Sequence, residues 1–410
     1  MISFDLKNLQ QNITANPETI ADFLKKIANR KQGFYEIVDD KKTLADVKSF
    51  AKKMRGKYQD VVILGIGGSA LGAICLEQSL THLFKKNAPR LHVLDNIDPT
   101  LISELEDVID YKKTLFLVIT KSGTTPETIT QYFYFRDKTN KKKLDPKKHF
   151  VFITDPKNGF LRELATEERI NSFAIPENVG GRFSVLTAVG LLPAALIGLN
   201  IDKLLAGARM MRDQFLSTNF EKNLPFQLAK IQYEFSKKGK NINVMIPYAQ
   251  KIFRLADWYR QLLAESIGKK NLGITPINAL GVTDQHSQLQ LFNEGPNDKL
   301  FIFIEVKKFH TTLKIPKIYQ KSGLDFLDKN ITFNQLLQIE KDATAESLTK
   351  NNRPNFTIKI DAINEENLGA LFMLFEGATA FLGEMFQINA FDQPGVELSK
   401  KLTKRALLNL

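Results

Sequence analysis

From residue 60 onward, short apolar, β-branched runs alternate with stretches of helical periodicity, and this rhythm leaves few folds open. Such alternation is satisfied by parallel sheets whose helical crossovers cover both faces. Residues 60–64, 91–95, 115–119, 150–155 and 172–175 read as one set of strands, with helices over 71–84, 101–109, 126–135 and 159–165. The very apolar stretch 184–198 reads as a buried helix, and 201–217 as another. A second set of strands follows at 243–247, 273–280, 299–306 and 356–360, with helices over 226–235, 252–267, 333–348 and 366–386. The expectation is therefore an α/β chain with two doubly wound parallel sheets flanked by helices. The boundary between them falls near 205–222, and 410 residues suit two domains of roughly 100–200 each. Residues 1–45 read as a helical lead-in, 46–215 as the first domain, 216–390 as the second and 391–410 as a C-terminal segment.

Composition narrows the partners. With 43% hydrophobic and 25% charged residues, neither disorder nor a fibrous repeat fits. One cysteine, Cys75, excludes an intrachain disulfide and a thiolate metal cluster, and a reducing cytoplasm is the expected location. The amino terminus shows no secretory or transit pattern. The nearly apolar stretch 183–199 is shorter than the ~20 residues that span a bilayer and is interrupted by Ser184, Thr187, Gly190 and Pro193, so no membrane is expected. The net charge of +12 comes from scattered lysine runs without a zinc-finger, RRM or KH signature. It reads as a field that gathers small phosphorylated anions, not as a nucleic-acid surface.

Two strand-to-helix junctions carry the strongest chemical signals. Residues 60–72 run from a strand into the glycine turn Gly65-Ile66-Gly67-Gly68-Ser69 and on into a helix, aiming backbone N–H groups at whatever lies over the strand's carboxyl end. The same residues satisfy G-x-G-x-x-A with Asp95 closing the next strand, so a dinucleotide-dependent oxidoreductase stays open, as does a tight turn whose small residues serve packing alone. The second junction, Thr120-Lys121-Ser122-Gly123-Thr124-Thr125-Pro126, sets four hydroxyls and an ammonium at a helix start, with Thr125 as N-cap and Pro126 as the first helical residue. That nest suits one phosphate monoester and lacks the nucleotide-triphosphate motif.

Three further segments place polar groups at element ends. Gly180-Gly181-Arg182 brings an arginine to the start of an apolar helix, where a negative charge is the usual choice, so Arg182 either pairs with an acidic neighbour or awaits an anion. Glu265 stands three residues after Leu262 and seven after Trp258, at the border of an apolar stripe. A half-buried carboxylate there could act as a base near neutrality, although an ordinary exposed Glu fits the same spacing. His286 sits among small polar residues at a strand-to-helix junction, whereas His82, His92, His149 and His310 read as surface histidines. No His or carboxylate spacing suggests a metal.

Taken in order, GIGGSALG, TKSGTTPET, VGGRFS, AESIGK, GVTDQHSQ and FDQPGVELSKKL resemble the phosphoglucose isomerase family, in its shorter bacterial form, from residue 61 to 402. The resemblance implies two sugar-isomerase (SIS) domains, a site between them completed by the second subunit of a homodimer and by residues 391–410, and neither cofactor nor metal. It implies reversible isomerisation of glucose 6-phosphate and fructose 6-phosphate through ring opening and a cis-enediolate, in glycolysis and gluconeogenesis. Carried over by motif, Ser69, Thr120, Lys121, Ser122 and Thr125 would hold the phosphate, with Gly68, Gly181 and Gln393 also at the substrate. Glu265 would be the base, Arg182 would stabilise the enediolate, and His286 of the other subunit with Lys400 would open the ring. Ala70 and Gly123 depart from the residues usual in longer members, both beside the phosphate pocket. A non-catalytic sugar-phosphate sensor on the same fold would be expected to lack the base.

Overall fold

The structure, a computed structural model, describes residues 2–84, 87–318, 324 and 329–409. Its strands in chain order are β1 Ser3–Asp5, β2 Asp60–Leu64, β3 Arg90–Leu94, β4 Thr114–Ile119, β5 Phe150–Thr154, β6 Asn171–Ala174, β7 Ile242–Pro247, β8 Thr275–Asn278, β9 Lys299–Lys308 and β10 Asn355–Ala362. They form two five-stranded sheets, ordered β3-β2-β4-β5-β6 and β1-β10-β9-β7-β8. Every pairing is parallel except that of β1 with β10. Continuous apolar runs such as Asp60–Leu64 and Thr114–Ile119 are buried along their whole length, as strands covered on both faces must be.

Side-chain alternation divides the core. Val61, Ile63, Leu115, Leu117, Met245, Ile302 and Ile358 point into one continuous cluster shared by both sheets. Val62, Leu64, Phe116 and Val118 enter a separate cluster on the far face of the first sheet, and Val244, Ile246, Phe301 and Phe303 one on the far face of the second. The shared core is centred on the helix Glu365–Met385, whose residues from Asn367 onward are all buried. This helix is long and apolar enough to cross a membrane, yet it lies wholly inside the protein. Asn364 caps its start by accepting from the Asn367 N–H at 2.8 Å. The helix Ile201–Phe215 packs against it, with Phe215 and Phe381 ring centroids 5.1 Å apart.

Several expectations are corrected. Residues 1–45 are not purely helical, because β1 forms the antiparallel edge of the second sheet, with Ser3 opposite Lys359 and the Phe4 ring 6.0 Å from Phe356. Three residues are too few to show a period in sequence. Within 184–198 the helix runs only from Ala188 to Leu196, because the Thr187 hydroxyl accepts from the Val189 N–H at 3.2 Å and starts the helix later. β8 is shorter than 273–280, as suits an edge strand containing Pro276, which has no N–H to give. His92 and His149 are not surface groups: His92 Nε2 lies 2.8 Å from buried Asp60, and buried His149 Nδ1 lies 2.9 Å from the Thr114 carbonyl. Cys75 is fully buried and its thiol is pushed up to about 12 by that burial, so it offers no thiolate at neutral pH.

Candidate active site

In the first sheet the chain leaves β2 toward β3 on one side and reaches β4, β5 and β6 on the other, so β2 and β4 flank a topological switch point. Ligands of open α/β sheets bind outside the carboxyl ends of strands at such a point. β2 is followed by the turn Gly67–Ser69, and β4 by the Thr120–Thr125 loop. Both hydroxyl- and glycine-rich segments therefore open onto the same crevice.

In the Thr120–Thr125 loop, Thr120 and Thr125 hydroxyls are 2.6 Å apart, and Ser122 Oγ lies 3.3 Å from each. Thr125 is the N-cap of the helix Pro126–Lys141, as expected, but its side chain makes no capping bond. The hydroxyls bond to one another, so the first-turn N–H groups remain available to an anion, which the helix dipole favours. Ser69, half-buried on the facing turn, makes no side-chain hydrogen bond among the described residues.

Lys121 also ties the loop to a neighbouring segment. Its Nζ donates to the Glu177 and Val179 carbonyls, at 2.8 Å each, tying the hydroxyl loop to the segment that leads into Arg182. Burial pushes its pKa down, opposed by Asp155 and Glu177. Two of its three donors are thereby occupied by backbone.

Gly67, at φ +58°, and Gly68 let the first turn touch two other elements. A Cβ on Gly67 would come within 2.8 Å of Gln261, and one on Gly68 within 2.3 Å of the Gly181 carbonyl oxygen. Gly67 meets a side chain of the helix Phe253–Ile267, and Gly68 is needed because the loop carrying Gly181 lies on it.

That loop delivers Arg182, only 5% exposed. Its Nε donates to Ser266 Oγ at 2.7 Å, Nη1 to Gln393 Oε1 at 3.0 Å, and Nη2 to the Ala390 and Asp392 carbonyls at 2.6 and 2.9 Å. A guanidinium has five N–H donors, so one remains, on Nη1. Nη1 stands 3.7 Å from Glu265 Oε1. Burial pushes the Arg182 pKa down, and the carboxylates of Glu265 and Asp392 resist. Glu265 Oε2 accepts from Gln261 Nε2 at 3.0 Å, one helical turn earlier on Phe253–Ile267. A half-buried carboxylate thus faces a buried, pre-oriented cation with one unused donor, a pairing chemically suited to proton transfer beside a developing negative charge.

The profile of phosphoglucose isomerase matches residues 24–410. The chain belongs to the phosphoglucose isomerase family. It is 46% identical over 378 residues to the glucose-6-phosphate isomerase of Carboxydothermus hydrogenoformans, covering 88% of this chain and 81% of that one. To a glucose-6-phosphate isomerase of Thermus thermophilus it is 37% identical over 382 residues, covering 92% and 90%. Among solved structures, a hypothetical protein of Thermus thermophilus superposes with TM-score 0.88 at 34% identity, covering 99% of this chain and 100% of the other. The glucose-6-phosphate isomerase of Chlamydia trachomatis shares the fold, with TM-score 0.77 at 24% identity over 97% of this chain and 76% of that one. Membership in this isomerase family removes the oxidoreductase alternative left open by the glycine turn.

Within one chain the phosphoglucose isomerase motifs do not all meet. Arg182, Glu265, Gln393, Gly68 and Gly181 adjoin, with Ser69 and the Thr120–Thr125 loop beside them. His286 is exposed at the far end of the second sheet: the Gly281 N–H donates to Pro247 at 3.1 Å, beside the start of the helix whose last turn carries Glu265. Twelve helical steps lead from Phe253 to Glu265, roughly 18 Å at 1.5 Å per residue. Lys400 lies on the helix Glu397–Leu408, which buries no side chain, and its Nζ bonds Glu397 at 3.0 Å. Four site groups escaped the sequence reading: Gln261, Ser266, Lys269 and Asp392. Gln261 carried a usable signal, being four residues before Glu265 and hence on the same helix face.

Proposed function

We infer that this chain is a glucose-6-phosphate isomerase. It interconverts glucose 6-phosphate and fructose 6-phosphate, the aldose–ketose step of glycolysis and gluconeogenesis. The observation that carries the reading is the pairing of Glu265 with the one unused donor of buried Arg182, in a chain whose family match runs from residue 24 to 410. Residues 46–215 and 216–390 act as the two sugar-isomerase domains, and the catalyst works in the cytoplasm.

The chemistry follows from the residue types. The phosphate sits on Ser69, Thr120, Ser122, Thr125 and the helix N-terminus, which fixes the sugar's far end. Ring opening moves a proton from the anomeric hydroxyl to the ring oxygen, a task for a histidine and a second donor, His286 and Lys400. Glu265 then takes the C2 proton of the open aldose and returns it to C1 as the O2 hydroxyl proton passes to O1, while the free Nη1 donor of Arg182 meets the enediolate charge and Gln393 steadies the sugar. His286 comes from a second copy of the chain. Two features support that arrangement: the placing of its loop beside the start, not the end, of the helix bearing Glu265, and the exposed Leu398 and Leu402 on the helix that bears Lys400.

The test is incubation with fructose 6-phosphate in deuterated water, followed by detection of glucose 6-phosphate and of deuterium at C1. Glu265→Gln keeps the shape but accepts no proton, and isomerisation and C1 exchange are expected to fall together by about 10²–10⁴ or more. Rapid C1 exchange by that variant would assign the base elsewhere.

A further inference from the structure

Lys269 lies two residues beyond the helix Phe253–Ile267, and its side chain folds back onto the helix end that it follows. Its Nζ donates to the Ser266 carbonyl at 2.6 Å and the Asn389 carbonyl at 2.8 Å. It also lies 3.3 Å from the Glu265 carbonyl and 3.3 Å from Asp392 Oδ1. An ammonium has three donors, so these four acceptors leave none for a substrate. The side chain is only 10% exposed. Burial and the nearby Arg182 charge push its pKa down, while Asp392 and Glu265 push back.

The last carbonyls of a helix have no partner within it, and a cation there also meets the negative end of the helix dipole. Lys269 meets that need at the turn that bears the Glu265 carboxylate. It does so while holding the segment that ends in Gln393, which Arg182 grips from its other side through the Ala390 and Asp392 carbonyls. Both cations also hold Ser266, Arg182 by the hydroxyl and Lys269 by the carbonyl. Without the ammonium, the side-chain hydrogen bonds that join the helix end to residues 389–393 among the described residues are those of Arg182, and the guanidinium follows whichever of them moves.

We propose that Lys269 is a positioning residue for the isomerisation: its ammonium fastens the end of the Glu265 helix to the segment carrying Gln393, and so sets the spacing between the base, Arg182 and Gln393. The proposal rests on Glu265 being the base. The hydroxyl nest lies on other elements, so phosphate binding does not depend on Lys269.

The test compares kcat and KM for fructose 6-phosphate in wild type, Lys269→Met and Lys269→Arg, per folded molecule counted by binding of an unreactive hexitol 6-phosphate. A displacement of about 1 Å can lower the rate of the chemical step by about 10²-fold, and Lys269→Met is expected to lose that much kcat and C1 exchange. KM should stay within about threefold, because the phosphate cradle lies on other elements and Gln393 is one polar contact among several. Lys269→Arg keeps the charge, but its planar fork cannot meet the same carbonyls, so its kcat should fall between the two. If Lys269→Met does not fold, Lys269→Arg and Asp392→Asn decide the matter, each with lowered kcat at unchanged KM. Wild-type kcat in a folded variant, a rise in KM alone, or a loss that vanishes per folded molecule overturns the proposal. Absence of isomerisation by the wild type would instead overturn the assignment of the reaction.

Discussion

Replacing Gly68 by alanine tests whether the contact between the two glycine turns sets the position of Arg182. The added methyl would sit 2.3 Å from the Gly181 carbonyl oxygen, 2.4 Å from its carbon and 2.8 Å from the Arg182 nitrogen. All three are backbone atoms, so no rotamer change relieves the clash. The turns must part by at least 0.7 Å, the gap between 2.3 Å and the 3.0 Å floor for real Cβ contacts. Overpacking of this kind destabilises by about 1–3 kcal/mol. The shift is passed on to the next residue, Arg182, whose remaining donor must meet the developing oxyanion, and a misplacement approaching 1 Å lowers kcat by about 10²-fold. Gly181→Ala is the matched control, since no heavy atom lies within 4 Å of a Cβ built there. The assay couples glucose 6-phosphate formation to NADP⁺ reduction by its dehydrogenase, alongside urea unfolding of both variants. Gly68→Ala is expected to lose both stability and kcat, and Gly181→Ala to unfold as the wild type does. Wild-type kcat in Gly68→Ala would refute the claim that this contact positions the arginine.

Lys121→Met removes the tie to the Glu177 and Val179 carbonyls and should lower kcat/KM by about 1–3 kcal/mol, the range for a charged hydrogen bond, mainly through kcat because the tethered loop leads into Arg182. A rise in KM alone would mean that the ammonium reaches the phosphate directly. Mixing inactive His286→Ala and Glu265→Gln proteins under verified subunit exchange should restore part of the activity, since hybrid dimers contain some sites with both groups intact; no recovery would place both residues in one chain's site. Glu376 is fully buried on the central helix, neither carboxyl oxygen has a hydrogen-bond partner among the described residues, and burial holds its pKa well above the usual carboxylate range. The folded state therefore keeps a proton that the unfolded chain releases near pH ~4.3, so this group's contribution to stability is greatest below that pH and declines as pH rises toward the folded value, by at most about 1.4 kcal/mol per pH unit. Glu376→Gln should flatten the decline of the urea midpoint between pH 5 and 8; equal slopes in wild type and variant would show that the carboxyl is already ionised in the folded protein.

Much of the fold was legible because strands buried on both faces must be apolar throughout, and β2, β4, β5 and β9 carry that pattern over five or more residues. β1 carries no such signal: three residues pair with a strand some 350 positions away, and only the finished sheet gives them a role. The site divides along the same line. Thr120–Thr125 and Gly67–Ser69 lie in local strand-to-helix turns, so their chemistry could be read from neighbouring residues. Lys269 and Asp392 lie within quoted motifs, but nothing local shows that the two segments meet, because Lys269 finds Asn389 and Asp392 more than a hundred residues away.

By itself, the sequence determined which segments could be strands and helices, where glycine and hydroxyl turns would face a ligand, and which motifs place the chain among phosphoglucose isomerases. These properties depend on residue type and short spacing. Only the tertiary structure decided that Lys121 grips backbone carbonyls, that four of the five donors on Arg182 are occupied, and that Lys269 joins the base helix to Gln393. It also decided that His286 is exposed and that the Lys400 ammonium bonds Glu397. The physical reason is that a long cationic side chain bonds to whichever acceptors packing brings within its reach, and that choice is made by elements distant in sequence.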